Sequence, residues 1–131
     1  MPTSTMLRTR YMTDSVETMS PGRLIVAVYD RLMLDFDRAV TAIERRDVEA
    51  AHDALVHAQA ILWELRHSLD TSAWAAGHQL AAIYDFVLEG LVAANVRKDA
   101  DLVRSCATII DPLRDAWRQA AGIVTSAPPA A

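Results

Sequence analysis

Apolar residues recur along the chain at alternating intervals of three and four positions, in four separate stretches. The most regular stretch is the second, with the series Val48, Ala51, Leu55, Ala58, Leu62, Leu65 and Leu69. Such intervals place side chains on one face of an α-helix, because a helix has about 3.6 residues per turn. The pattern therefore predicts four amphipathic helices.

Capping residues indicate where these helices begin. Ser20 followed by Pro21 is typical of a helix N-terminus, because serine caps free amide groups and proline needs no hydrogen bond in the first turn. Asp47 and Asp99 are the expected N-caps of the second and fourth helices. Pro112 lies inside the fourth pattern and is expected to kink that helix. The expected ranges are about 20–46, 47–69, 74–96 and 99–124.

Helices of similar length joined by short connections favour antiparallel neighbours. The predicted fold is therefore all-α, an antiparallel up-down-up-down four-helix bundle over residues 20–124. Residues 1–19 are polar and lack a period, and we expect a mobile N-terminal segment there. Residues 125–131 are expected to form a disordered tail.

Some apolar residues lie outside the stripes that a bundle needs. On the second helix, Val56, Ala60 and Trp63 form a ridge that lies more than about 100° from the core stripe. Similar extra residues are Val26, Met33 and Val40 on the first helix and Ile83, Phe86, Leu88 and Val92 on the third. They could complete a broad core, form a dimer interface, or line a groove for a partner's amphipathic helices. The sequence alone leaves these three interpretations open.

The composition narrows the class of partner. The chain has 131 residues, is 52% hydrophobic, and carries 13 basic against 17 acidic residues for a net charge of −4. This balance disfavours nucleic acid, whose binding depends on clustered lysine and arginine. We expect no signal peptide in residues 1–11 and no apolar run near the ~20 residues that span a membrane, hence a cytoplasmic protein. The lone Cys106 is expected to be a buried hydrophobic residue, and no intrachain disulfide can form.

The candidates for chemistry do not form a catalytic arrangement. Glu49 with His52 and Glu64 with His67 have the Glu-x-x-His spacing of di-metal bundles, but such centres take one pair from each of two helices. Both pairs fall on the same predicted helix. His52 flanks its core stripe, and the other three residues lie outside that stripe. His57 is isolated and is expected to lie at the surface or its boundary. We therefore expect no metal, no cofactor and no enzymatic activity, and interpret the chain as a binding module.

Three segments in register carry a family resemblance. They are Ser-Pro-Gly-Arg-Leu at 20–24 with Val-Tyr-Asp at 28–30, Ala-Ile-Tyr-Asp-Phe at 82–86 with Leu-Val-Ala-Ala-Asn at 91–95, and Leu-Arg-Asp-Ala-Trp at 113–117. In this order and spacing, together with Tyr11, they resemble the FliS family of flagellar export chaperones over about residues 11–120. Two positions depart from the family pattern: Arg31 stands where members often have glycine, and the loop 72–77 lacks the usual Gly-Gly stretch.

The resemblance implies a specific function. Such proteins bind the C-terminal segment of flagellin in the cytoplasm, which prevents premature filament assembly. They deliver it to the export apparatus, whose gate protein FlhA recognises the loaded complex. In the family the tyrosine-bearing N-terminal segment is thought to cover part of the groove, so Tyr11 would do so here. A helical adaptor with a different amphipathic client and a metal-binding bundle enzyme are the competing hypotheses.

The expected partner-binding residues come from two sources. The family pattern indicates Tyr11, Tyr84, Leu88 and Leu91, and the helical period adds Val56 and Trp63. Other residues match the family pattern but are expected to be structural: Tyr29, Asp30, Asp85, Asn95 and Trp117. We expect a monomer or weak homodimer without direct membrane insertion.

Overall fold

The computed structural model describes residues 20–123, and this range contains four α-helices and no strands. The helices are α1 (Pro21–Glu44), α2 (Val48–Ser68), α3 (Gly77–Arg97) and α4 (Ala100–Ala120). The prediction of four helices in an all-α fold is confirmed. The mobile segment expected at residues 1–19 and the tail expected at 125–131 lie outside the described range, as does residue 124, the expected end of the bundle.

Three of the helices begin at the predicted capping residues. The Ser20 hydroxyl accepts a hydrogen bond from the amide three positions later at 3.3 Å, and the Asp47 carboxylate does the same at 3.1 Å. The Asp99 carboxylate accepts from two amides at 2.9 and 3.3 Å. These bonds satisfy amides that have no partner within the helix. The third helix begins at Gly77, three residues later than the expected Trp74. A side chain at Gly77 would clash with the preceding loop, because a Cβ atom there would lie 2.9 Å from the backbone of Thr71.

The connections after α1 and α3 use the same backbone geometry. Arg46 and Lys98 adopt left-handed conformations, with φ of 58° and 50°. In each case the following aspartate donates its amide to a helix carbonyl five positions earlier, at 2.9 Å for Asp47 and 3.1 Å for Asp99. This is the Schellman arrangement, which closes the end of a helix. Because the same aspartates cap the next helices, the chain reverses within two or three residues.

The helices form a closed antiparallel ring in the order α1, α2, α3, α4. Asp30 in the first half of α1 accepts a hydrogen bond from Arg118 near the end of α4 at 2.9 Å. Glu44 at the end of α1 is bonded to Arg104 near the start of α4. Side-chain hydrogen bonds between α2 and α3 likewise join the end of each helix to the start of the other. The described part of the chain is thus the predicted up-down-up-down bundle.

The core contains a polar pair at its centre. Tyr29 on α1 and Tyr84 on α3 are buried, and their hydroxyl oxygens lie 2.5 Å apart. Burial raises the pKa of both phenols, and the hydrogen bond to Tyr29 raises that of Tyr84 further, whereas hydrogen bonds partly offset the effect on Tyr29. A buried hydroxyl needs such a partner, because an unpaired one loses its hydrogen bonds to water. The pair therefore joins two helices that lie diagonally opposite in the ring.

Close contact between α3 and α4 explains the glycine inside α3. A Cβ atom at Gly90 would lie 3.0 Å from the sulfur of Cys106. Cys106 is buried, as predicted. Pro112 does not split α4, which continues through it to Ala120, and its ring is exposed.

Two expectations about burial and hydropathy are wrong. Val48 was assigned to the core stripe of α2 but is 61% exposed, because it is the first residue of the helix. Within the described range, α3 is long and apolar enough by length and composition to cross a membrane, although no such run was expected. One side of α3 forms core in this bundle, with Leu80, Val87 and Leu91 buried against the other helices. A core helix of a bundle satisfies the same criterion.

We predict that Arg46→Gly stabilises the protein. Glycine adopts φ near 58° without the steric clash of a Cβ atom, so the free energy of unfolding should rise by about 0.5–1 kcal/mol in urea denaturation. Lys98→Gly is the matched variant and should gain less, because the Lys98 ammonium donates a 2.7 Å hydrogen bond to the carbonyl of Asn95. A larger gain at Lys98 than at Arg46 would contradict this account.

We also predict a loss of stability at alkaline pH. Burial raises the pKa of the Cys106 thiol from 9.0 to about 11, so the fold favours the neutral thiol. Stabilisation by a raised pKa is complete below the unfolded-state pKa and is lost as the pH rises toward the native value. Between about pH 9 and 11 this thiol should lower the free energy of unfolding by up to about 1.4 kcal/mol per pH unit.

The measurement is urea denaturation of the parent protein and of Cys106→Ala over this pH range. The variant lacks the thiol but keeps the buried phenols, so its unfolding free energy should decline less steeply below about pH 10. Equal slopes in the two proteins would show that the thiol does not titrate with the fold.

Candidate functional site

The structure separates the predicted partner-binding residues into exposed and buried groups. Val56 and Trp63 are 45% and 53% exposed on the outer side of α2. Leu88 on α3 is half-buried at the edge of the core. Tyr84 and Leu91 have exposures of 2% and 0%. Tyr11 lies outside the described residues.

Tyr84 and Leu91 therefore cannot contact a partner directly in this conformation. Both lie on the core stripe of α3, where the helical period also places them, and the packing of the other helices covers that stripe. Their assignment to an exposed groove is corrected to a role in the core. Leu88 is one turn from each of them but is turned toward the edge of the bundle.

Two polar bridges join α2 to α3 on the side that carries Trp63. The guanidinium of Arg66 donates to Asp85 at 3.0 Å. Near the other end, the amide nitrogen of Asn95 donates to the imidazole of His52 at 3.1 Å. Asp85 and Asn95 belong to the family-like motifs, and these bonds give both of them a structural role.

Apolar side chains lie along the same face between these bridges. Val56 follows His52 by one helical turn, and Trp63 precedes Arg66 by one turn. Residues three or four positions apart share a face of a helix, so both valine and tryptophan lie on the bridged side of α2. By the same spacing, Leu88 lies one turn from Asp85 on α3, and Val92 and Val96 continue its line toward the end of that helix.

We call this surface the α2–α3 strip, and it consists of Val48, Val56, Trp63, Leu88, Val92 and Val96. Val92 is 50% exposed and Val96 is 81% exposed. From Val48 to Trp63 the strip follows α2 for roughly 22 Å at 1.5 Å per residue. A row of exposed apolar residues on one side of a helix pair is typical of an interaction surface.

Trp63 is held in a defined orientation on this strip. Its indole ring stacks on the imidazole of His67, with ring centroids 3.6 Å apart and an interplanar angle of 21°. The His67 Nδ1–H group donates a 2.8 Å hydrogen bond to the carbonyl of Trp63. The stack fixes one face of the indole, and Trp63 nevertheless remains half exposed.

Two apolar grooves at one end of the bundle were not predicted. One, of about 510 Å³, lies between the start of α1 and the end of α2, where its lining includes Leu24, Val28 and Ile61. The other, of about 370 Å³, lies between the start of α3 and the end of α4. Its lining includes Trp74 and Trp117, whose rings meet edge to face at 6.5 Å. The period of each helix indicated apolar residues here, but not that neighbouring helices leave space between them.

A third cleft, between α1 and α2, is polar and about 780 Å³ in volume. Asp35 lies in its wall with 1% exposure. The Asp35 carboxylate accepts hydrogen bonds from Arg31 at 3.3 Å and from His57. His57 is thus at the boundary, as expected, but it is not isolated. Arg31, which departs from the family pattern, takes part in this cluster.

The histidines of the two Glu-x-x-His pairs make contacts with other side chains. His52 accepts a hydrogen bond from Asn95, and His67 is stacked on Trp63. Within residues 20–123, no group of three or more histidine, cysteine or acidic side chains is arranged to hold a metal ion.

The comparisons with known proteins agree on one family. The sequence model of the family described as "Flagellar protein FliS" matches residues 4–124. The chain is 32% identical over 112 residues to the flagellar secretion chaperone FliS of Bacillus subtilis, covering 86% of this chain and 84% of that relative. It is 29% identical to the protein of the same description from Salmonella typhimurium, covering 81% and 80% of the two chains.

A solved structure supports the fold. The crystal structure of a flagellar chaperone from bacteria superimposes with a TM-score of 0.73, covering 92% of this chain and 98% of that chain at 17% sequence identity. At this identity the likeness concerns the fold. Because the family match spans residues 4–124 and a relative is 32% identical over most of both chains, this chain belongs to the FliS family of flagellar proteins.

Proposed function

We propose that this protein is a cytoplasmic export chaperone that binds the C-terminal region of flagellin, prevents its premature polymerisation and delivers it to the export gate protein FlhA. The observation that carries the proposal is the exposed α2–α3 strip in a chain whose relatives are named flagellar secretion chaperones. In this proposal flagellin is the client, meaning the protein that the chaperone binds and releases.

The shape and chemistry of the strip suit an amphipathic helix. A segment of about 15 residues has the ~22 Å length of the strip from Val48 to Trp63. Its apolar face would be removed from water by Val56, Trp63, Leu88 and Val92, and thereby kept from other copies of flagellin. A segment that folds as it binds spends part of the interaction energy on its own ordering. This allows the client to be released later at the export gate.

The apolar groove between the start of α1 and the end of α2 offers a place for the proposed Tyr11 cap. Pro21, the first residue of α1, lines this groove. The segment that contains Tyr11 therefore joins the bundle at the groove's edge. In our proposal this segment covers the groove when flagellin is absent, and a client that extends from the strip into the groove has to displace it, which lowers the apparent affinity.

We predict that Trp63→Ala weakens binding of the C-terminal flagellin segment from the same cell. A half-exposed aromatic ring held by stacking is typical of residues that dominate an interface, so the loss should exceed about 1 kcal/mol, or roughly fivefold in Kd, by calorimetric titration. The fold should be retained, because Trp63 lies outside the core cluster.

Leu34→Ala is the matched control. Leu34 is 40% exposed on α1 and lines none of the three clefts described above. It should leave the affinity unchanged. Equal effects of the two substitutions would remove the strip from the proposal. If the flagellin segment does not bind at all, the client is a different amphipathic helix and the protein is a helical adaptor of another kind.

Delivery to the gate gives a separate prediction. If FlhA recognises the loaded complex, the soluble domain of FlhA should bind the chaperone–flagellin complex at least about tenfold more tightly than the free chaperone in biosensor measurements. Trp63→Ala should lose this enhancement in proportion to the flagellin that it fails to bind. Equal affinity of FlhA for the free and loaded chaperone would refute delivery by this route.

A further inference from the structure

Positive charge is nearly absent from the two helices that form the strip. No lysine or arginine occurs from Val48 to Leu65 in α2 or from Gly77 to Val96 in α3. Arg66 and Arg97 fall in the last turns of these helices. By contrast, α1 and α4 each carry three arginines distributed along their length. The α2–α3 side therefore lacks the distributed positive charge of the α1–α4 side.

Carboxylates border the strip on both sides. On α2, Glu49 lies two turns before Val56 on the same face of the helix. On α3, Glu89 precedes Val92 by one turn, and Asp85 precedes Glu89 by one turn. We call Glu49, Asp85 and Glu89 the acidic rim, and all three are exposed. Within residues 20–123, Asp85 is the rim residue that forms an ion pair, and its partner is Arg66.

We propose that the α2–α3 strip selects amphipathic helices whose apolar face is flanked by lysine or arginine. This inference rests on the proposed function in taking the strip as the client-binding surface. A helix seated on the strip would place its flanking positions over the acidic rim. Basic flanks then meet carboxylates across the interface, whereas acidic flanks meet charges of the same sign. The apolar contacts supply affinity, and the rim supplies the choice of partner and the speed of association.

Two synthetic peptides of about 18 residues provide the test, each with the same leucine stripe at helical spacing and roughly 27 Å of helix length. One carries lysine at the flanking positions and the other carries glutamate. In calorimetric titrations at low salt, the lysine peptide should bind about tenfold or more tightly than the glutamate peptide. The ratio should approach one in about 1 M salt, where the Debye length is only ~3 Å. Equal affinities at low salt would overturn the inference.

A pair of matched variants separates the rim from the net charge of the protein. Glu49→Gln with Glu89→Gln removes two rim charges, and Asp37→Asn with Asp115→Asn removes two exposed charges from α1 and α4. Both variants change the net charge equally. We expect the rim variant to bind the lysine peptide about fivefold more weakly and the control to bind it as the parent does. Equal weakening in both would reduce the effect to net charge and overturn the proposal.

Titration with the flagellin C-terminal segment distinguishes this inference from the proposed function. Binding of that segment without sensitivity to salt or to the rim variant overturns the selection of basic flanks but leaves the chaperone function intact. Preference for the lysine peptide without binding of the flagellin segment supports the selection of basic flanks but overturns the flagellin chaperone function. If the protein alone forms a dimer that Val92→Asp dissociates, a second copy occupies the strip and the inference is overturned.

Discussion

The hydroxyl groups of Tyr29 and Tyr84 meet in the middle of an otherwise apolar core, and the alignment of α1 with α3 depends on that contact. Leaving a hydroxyl unpaired in this environment would cost about 1–3 kcal/mol, and the hydrogen bond between the two tyrosines avoids this cost. Helices α1 and α3 lie diagonally opposite, and α2 and α4 each pack against both of them. Val56 and Trp63 remain exposed on the outer side of the packed ring.

The α1–α4 and α2–α3 sides of the bundle differ in how far side chains pair across the two helices. Between α1 and α4, the Asp30 carboxylate accepts hydrogen bonds from two arginines, at 3.3 and 2.9 Å, and Glu44 pairs with Arg104. Opposite charges there are already matched within the molecule. Between α2 and α3 the two polar bridges leave the middle of the apolar strip, from Val56 to Trp63 on α2, uncovered between them. The fold thus presents one side that satisfies its own charges and another whose apolar residues lack a cover.

The helices and their caps could be predicted because both depend on neighbours in sequence. Trp63 was also predicted to point outward, since the helical period alone fixes its angle from the core stripe. The burial of Asp35 could not be predicted in this way, because its partner His57 lies 22 positions away on another helix. For Tyr84, the family-like motif indicated a groove and the period indicated the core, and the packing of α1 against α3 decides for the core. The apolar grooves likewise depend on spaces between helices, which no single helix encodes.

An exposed apolar strip also creates a risk of self-association for a protein that carries it unliganded. Two copies meeting strip to strip would bring acidic rims of the same sign together, whereas a client with basic flanks would meet opposite charges at the same positions. Exposed charges of this kind contribute little each, about 0.2–1 kcal/mol, but they act in opposite directions for the two partners. At physiological salt the Debye length is about 8 Å, so this discrimination operates only where the rims come close. The same carboxylates therefore oppose the wrong complex and favour the right one.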